Sequence, residues 1–196
     1  MFEYAIAESK LAGEIECGDA SFVKLSKDRA ILTVVDGLGH GADAAVAANT
    51  AVGRLTKLEN YSPLTLVREC HDALRFSRGA AMGLVMLDHV SNTLSWVGIG
   101  NVSAMVLRAG RVGRDRYETL MRHAGIVGHN LPHLQEIVLA LQPGDILILA
   151  TDGVDEDFLQ QFDVLDSLQQ TADEIIRRFK RGDDDALVLI ARYLES

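Results

Sequence analysis

The chain has 196 residues, 48% of them apolar and 24% charged, a balance that fits one folded domain over residues 1–196 and excludes a disordered chain. A formal charge of −9 repels phosphate backbones and anionic lipid, so no nucleic acid and no membrane is expected as a partner. The start, MFEYAIAESK, lacks the basic and long apolar regions of a secretory leader, and no apolar stretch reaches the roughly 18 residues of a membrane span. Cys17 and Cys70 have no C-x-x-C spacing, so reduced thiols in a cytoplasmic protein are expected.

In chain order, apolar runs at 20–25 and 30–35 read as strands joined by the hairpin segment SKDR. VVDGLGHGADAAVAA, residues 34–48, starts as a buried strand, breaks into glycines around Asp36, and continues as an alanine-rich helix from Ala42 to about Leu58. Ser62-Pro63 has the N-cap and first-turn chemistry of a second helix, with Leu66, Cys70, Ala73 and Leu74 on one face. After Gly79 come short strands at 81–88, 93–99, 102–108, 116–121, 135–140 and 145–150, separated by turn residues and expected to form a β-meander. Helical patterning returns over 154–181, with Ile175, Ile176 and Phe179 as its apolar face, and ALVLIARYL closes the chain as a strand. Runs of strands separated from runs of helices indicate an α+β fold, and so many strands beside few helices indicate two packed antiparallel sheets with helices outside.

Four aspartate positions stand at strand ends. Asp19 opens a strand in CGDASF, Asp36 and Asp152 each precede a glycine at the end of one, and Asp183, Asp184 and Asp185 precede the last. Any one of them alone reads as a turn or cap residue. If the four ends converge, however, the carboxylates repel and lose solvation, so a cation must sit among them. Carboxylate and carbonyl oxygens suit Mg²⁺ or Mn²⁺, and two such ions sharing a carboxylate would activate water for attack on a phosphate ester. The rival reading, a phosphate cradle, fails on spacing. Gly37, Gly39 and Gly41 run G-x-G-x-G where a dinucleotide fingerprint needs G-x-G-x-x-G, and no lysine stands between Lys27 and Lys57 to complete a P-loop.

In order, CGDASF, VVDGLGHGADAAVAA, ATDGVDE and DDDALVLI resemble the metal-site motifs of PP2C-type serine/threonine phosphatases. The D-G-x-G-x-G form and the short length resemble the SpoIIE-like bacterial branch in particular. The resemblance, over about residues 15 to 194, implies a PP2C-like α-β-β-α sandwich and hydrolysis of phosphoserine or phosphothreonine without a phosphoenzyme. It implies Mn²⁺ or Mg²⁺ as two ions, with Asp36 as the bridging ligand, the Gly37 carbonyl on the second ion, Asp152 on the first, and Asp19 holding water. The last ligand falls on Asp184 or, in the other register, on Asp183, with Asp185 beside them. The family pattern D-[DN]-x-T is broken by Leu187 in the first register and by Ala186 in the second. Gly18 stands where larger members have Glu, which implies a weaker second ion.

His40 and Gly39, in the glycine loop, are candidates for contact with the phosphate, although a solvated loop histidine explains His40 as well. Gly79-Ala80-Ala81 and the Gly98–Val102 turn are read equally as packing or as site elements, His123, His129 and His133 as surface or substrate-edge residues, and Trp96 as core. By resemblance the partners are phosphorylated STAS-domain proteins of a stressosome. The alternative is a phosphoprotein-binding scaffold with a degraded metal site.

Overall fold

A computed structural model describes residues 2–59, 61–158 and 164–194. The strands are β1 (Phe2–Ser9), β2 (Asp19–Leu25), β3 (Arg29–Gly37), β4 (Ala80–Asp88), β5 (Thr93–Ile99), β6 (Ser103–Leu107), β7 (Tyr117–Thr119), β8 (Ile137–Ala140), β9 (Ile146–Ala150) and β10 (Ala186–Tyr193). The helices are α1 (Ala42–Leu55), α2 (Pro63–Leu74) and α3 (Leu168–Phe179). Two five-stranded antiparallel sheets result, ordered β1-β10-β9-β6-β7 and β2-β3-β4-β5-β8.

Three apolar layers hold four structural layers together. Between the sheets lie Leu32, Val34, Val85, Trp96, Val106, Leu149 and Leu189. The alternate side chains of β3 and β4, among them Val35, Met82 and Leu84, face α1 and α2 through Ala47, Ala48, Leu66 and Cys70. On the other flank Met105, Ile148, Val188 and Ile190 face Ala172 and Ile175 of α3. Because each sheet is covered on both faces, its central strands are continuously apolar: the first eight residues of β4 are all buried. The expected α+β sandwich of two antiparallel sheets flanked by helices is the architecture found. Among the described residues no helix is long and apolar enough to cross a membrane.

Local expectations differ from this architecture in four places. β1 is absent from the sequence reading, yet it pairs with β10 along its whole length, from Phe2 with Tyr193 to Ser9 with Ala186. The strands after Gly79 do not form one meander, since β4, β5 and β8 belong to one sheet and β6, β7 and β9 to the other, with the chain changing sheets at Gly100–Val102. Ala73 is exposed, and Val67 takes the buried place on α2. Of the helix expected over 154–181, the stretch from Leu168 to Phe179 is helical, capped by Ser167 through a bond from Gln170 N–H, and 159–163 lie outside the described residues. On that helix Ile175 is buried, while Ile176 and Phe179 are partly so.

Candidate metal centre

The four aspartate-bearing strand ends meet at one edge of the sandwich. Asp19 and Asp36 are cross-strand partners on β2 and β3, and the Gly37 N–H donates to the Gly18 carbonyl at 3.0 Å. Asp152 follows β9 in the opposite sheet, and its carboxyl is within hydrogen-bond reach of Asp36. Thr151 links the sheets, its hydroxyl donating to Asp19 Oδ2 at 2.7 Å and accepting from Leu187 N–H at 2.9 Å.

The glycines of the two Asp-Gly pairs are explained by close packing. A Cβ on Gly37 would lie 2.1 Å from the Ala44 carbonyl oxygen of α1, and one on Gly153 would lie 1.7 Å from the Asp185 carbonyl oxygen. Gly39 and Gly41 have φ of +87° and +71°, which lets β3 turn into α1 within four residues. The helix then anchors the loop through buried Ala44, Ala45, Ala47, Ala48 and Ala51.

Burial and mutual repulsion govern the electrostatics of this edge. Asp36 is pushed up to about 9, first by burial and then by the charges of Asp19, Asp152 and Asp184. Asp19 is pushed up to about 7 by burial, against the Thr151 hydrogen bond. Asp184 is raised too, by burial and by its neighbours Asp152, Asp185 and Asp183, despite the Asp185 N–H that its Oδ1 accepts at 2.8 Å. The Cys17 thiol is pushed up to about 12, chiefly through burial.

The three consecutive aspartates separate by environment. Asp183 is exposed, Asp184 faces Asp36 and Asp152, and Asp185 is 2% exposed, with its two oxygens accepting from Leu11 N–H at 2.8 Å and Gly18 N–H at 2.7 Å. Asp185 thus ties the 10–18 loop to β10 and has little freedom to bind anything else.

An all-oxygen set of carboxylates with the Gly37 backbone suits a hard divalent cation, which would remove the repulsion that raises these groups. Among the described residues no three His, Cys, Asp or Glu side chains already form a cage around one point.

The model of stage II sporulation protein E (SpoIIE) matches residues 26–194. The chain belongs to the SpoIIE family. It is a metal-dependent phosphatase of the PP2C type. A structure described as "The bacterial stressosome: a modular system that has been adapted to control secondary messenger signaling" is 30% identical to this SpoIIE-family chain. It covers 98% of the chain and 100% of its own length, with a TM-score of 0.86. RsbX in complex with magnesium is 16% identical, over 97% of this chain and 94% of its own, at a TM-score of 0.86. The PP2C phosphatase domain of SpoIIE from Bacillus subtilis is 19% identical, over 98% and 63%, at 0.78. The last two likenesses bear on the fold. No curated protein matches the chain.

The partners of several side chains around the SpoIIE-family site escaped the sequence reading, although Asn101 falls in the Gly98–Val102 turn that the sequence offered as a possible site element. The Asn101 side-chain amide donates to Asp152 Oδ2. Ser103 donates to Glu156 Oε1 at 2.8 Å, and Arg122 reaches the same oxygen at 2.9 Å. These partners come together only across strands, so neither spacing nor composition marks them. His40 is exposed and paired with Glu14 at 2.6 Å. His133 is exposed, His123 joins the Gly98–Gly100 backbone, and His129 contacts the Ser77 carbonyl. Trp96 is fully buried and donates to the Met121 carbonyl, and Gly98 makes room for its ring, since a Cβ there would lie 2.3 Å from it.

Proposed function

We propose that residues 1–196 act as one cytoplasmic phosphatase domain that removes phosphate from serine or threonine of STAS-domain regulatory proteins of the stressosome kind. The observation that carries this reading is the convergence of Asp19, Asp36, Asp152 and Asp184 at one edge of the sandwich, the first two buried and the last two half-buried, with their like charges close enough to repel. In it Asp36, the Gly37 carbonyl, Asp152 and Asp184 would hold two Mn²⁺ or Mg²⁺ ions, with Asp36 as the shared ligand. When bound, the ions supply charge neutralisation and activation of water for in-line attack on phosphorus. Asp19, held by Thr151, orients that water, and Asn101 orients Asp152. The stressosome context of the 30%-identical structure supports the choice of substrate class.

Gly18 bears on how firmly the second ion is held. A Cβ there would lie 2.9 Å from Ala44 Cβ and 3.0 Å from Asp185 Oδ2, so a side chain at this position would crowd both, and the second ion would have one carboxylate fewer to hold it. Hydrolysis of p-nitrophenyl phosphate with Mn²⁺, with Mg²⁺ and with EDTA tests the reading. Metal-stimulated turnover, followed by dephosphorylation of a serine-phosphorylated STAS protein, is expected. Binding of that phosphoprotein with no metal-stimulated turnover on either substrate would replace the enzyme by the scaffold reading.

A further inference from the structure

The glycine loop 37–41 is flanked on both sides by apolar side chains held in solvent. Phe76 is fully exposed on the turn 75–79 between α2 and β4, and Ile15 is 89% exposed on the loop 10–18. The loop 10–18 reaches the glycine loop through the Glu14–His40 pair. From the opposite side, the Gly79 carbonyl accepts from Leu38 N–H at 3.0 Å, and Arg78 Nη2 donates to Asp43 at 2.6 Å. Arg78 Nη1 lies 2.9 Å from where a Gly39 Cβ would stand, so its guanidinium covers the glycine loop.

The turn that presents Phe76 is braced. Ser77 Oγ donates to the Leu74 carbonyl at 2.8 Å and accepts from Gly79 N–H at 3.1 Å, and the His129 ring meets the Ser77 carbonyl at 3.0 Å. Because the backbone of the turn is fixed, only the Phe76 side-chain torsions remain to be ordered on binding, which suits an anchor residue. Arg75 and Arg78 flank it. Their pairs with Asp72 and Asp43 are solvent-exposed, and such pairs exchange readily for a phosphate dianion, a stronger acceptor. In a chain of charge −9, this places the Arg78 guanidinium against the candidate metal loop, with exposed Phe76 two residues before it on the same turn.

We propose that the turn 75–79, with Phe76 as its apolar contact and Arg78 as its charged one, and Ile15 across the loop, forms the docking rim for a folded phosphoprotein. The partner's face bearing phosphoserine or phosphothreonine lies over Gly39, and the rim selects protein substrates over small phosphate esters. This rests on the phosphatase reading above, and the test separates the two.

For the wild type, Phe76→Ala, Arg78→Gln, Ile15→Ala and Val112→Ala, kcat/KM is measured with Mn²⁺ on a serine-phosphorylated STAS protein and on p-nitrophenyl phosphate. Val112 is an exposed apolar residue on the turn after β6, whose other end, Ser103, faces the site. For Phe76→Ala and Arg78→Gln the ratio of the two constants falls about tenfold or more, mainly through KM on the phosphoprotein. For Ile15→Ala the fall is about threefold, and for Val112→Ala the ratio stays within about twofold. Dissociation constants of the same phosphoprotein, titrated calorimetrically in EDTA, weaken in the same order. A Phe76→Ala ratio and dissociation constant matching those of Val112→Ala overturn the docking rim, as does an equal loss on both substrates. A wild type that binds the phosphoprotein through Phe76 but hydrolyses neither substrate overturns the phosphatase reading and leaves the rim standing.

Discussion

Replacing Asp185 and Asp184 in parallel separates structure from chemistry at adjacent positions. Asp185→Ala removes two charge-assisted hydrogen bonds and leaves the buried Gly18 N–H without an acceptor. Such bonds contribute about 1.5–3 kcal/mol each, and relief of repulsion with Asp19 and Asp184 returns on the order of 1–2 kcal/mol. The net loss is therefore about 2–4 kcal/mol, or roughly 5–15 °C in Tm for a chain of this size. Asp185→Asn keeps one acceptor oxygen and turns an N–H donor toward the other backbone N–H, so it falls between. Asp184→Ala gives up one bond from Asp185 N–H and relieves repulsion with Asp152, so its Tm in EDTA stays within about 3 °C of the wild type. Its Mn²⁺-stimulated hydrolysis of p-nitrophenyl phosphate nevertheless falls at least about a hundredfold. Thermal denaturation in EDTA and metal-stimulated turnover at a temperature where every variant is folded read out the two effects. Full Mn²⁺ stimulation of Asp184→Ala together with its loss in Asp185→Asn would refute the assignment, and an unchanged Tm for Asp185→Ala would refute the tie.

Four further outcomes follow. Mn²⁺ at a hundred times its Kd raises wild-type stability by about 2.7 kcal/mol, roughly 5–10 °C by calorimetry, whereas Asp36→Asn loses this shift and the metal-stimulated turnover yet melts higher than the wild type in EDTA. Arg108 pairs with buried Asp145 at 2.8 Å, and Arg108→Ala costs about 3 kcal/mol in denaturant titration because Asp145 is left with backbone donors alone. Thr33 on β3 is buried, with no hydrogen-bond partner for its hydroxyl among the described residues, so Thr33→Val stabilises by about 1 kcal/mol in the same assay. Asp88 is held below its usual range chiefly by the Ser91 N–H, with Val90 N–H and Arg29 assisting, so its contribution is present above the unfolded value of 3.8 and is lost as pH falls through the folded one. The Tm gap between wild type and Asp88→Ala, small because the pair is partly exposed, starts to narrow as pH falls toward 3.8 and closes only below the lowered folded value.

Most of the sandwich was legible because its strands and helices state their period and their caps locally. Ser62-Pro63 opens α2 as read, and β2 to β6, β9 and β10 lie within two residues of the expected runs. β1 was not legible, since FEYAIAES shows no clean apolar–polar alternation and only Phe2, Ala5 and Ala7 are buried, too weak a signal until β10 pairs with it. The division into two sheets was hidden at Gly100–Val102, where three residues that read as a hairpin turn pass the chain between layers. At the site, the aspartates were conspicuous as charges beside apolar strands. Thr151, Asn101 and Arg78 were not, because a hydroxyl, an amide and a guanidinium acquire meaning only from a neighbour more than 30 residues away.

The tie from Asp185 to Leu11 and Gly18, with β1 zipped against β10, makes the order of events during synthesis matter. The ribosome delivers Asp19 and Asp36 early, but their partners Asp152 and Asp184 emerge more than a hundred residues later. Until then β1 has no neighbour in the sheet it joins, and the loop 10–18 has no carboxylate to hold it. Closing so long a loop is slow compared with forming local helices, so the nascent chain spends that interval with a half-built anionic edge. A growing chain of this kind has no assembled centre for an ion to occupy before its last strand docks.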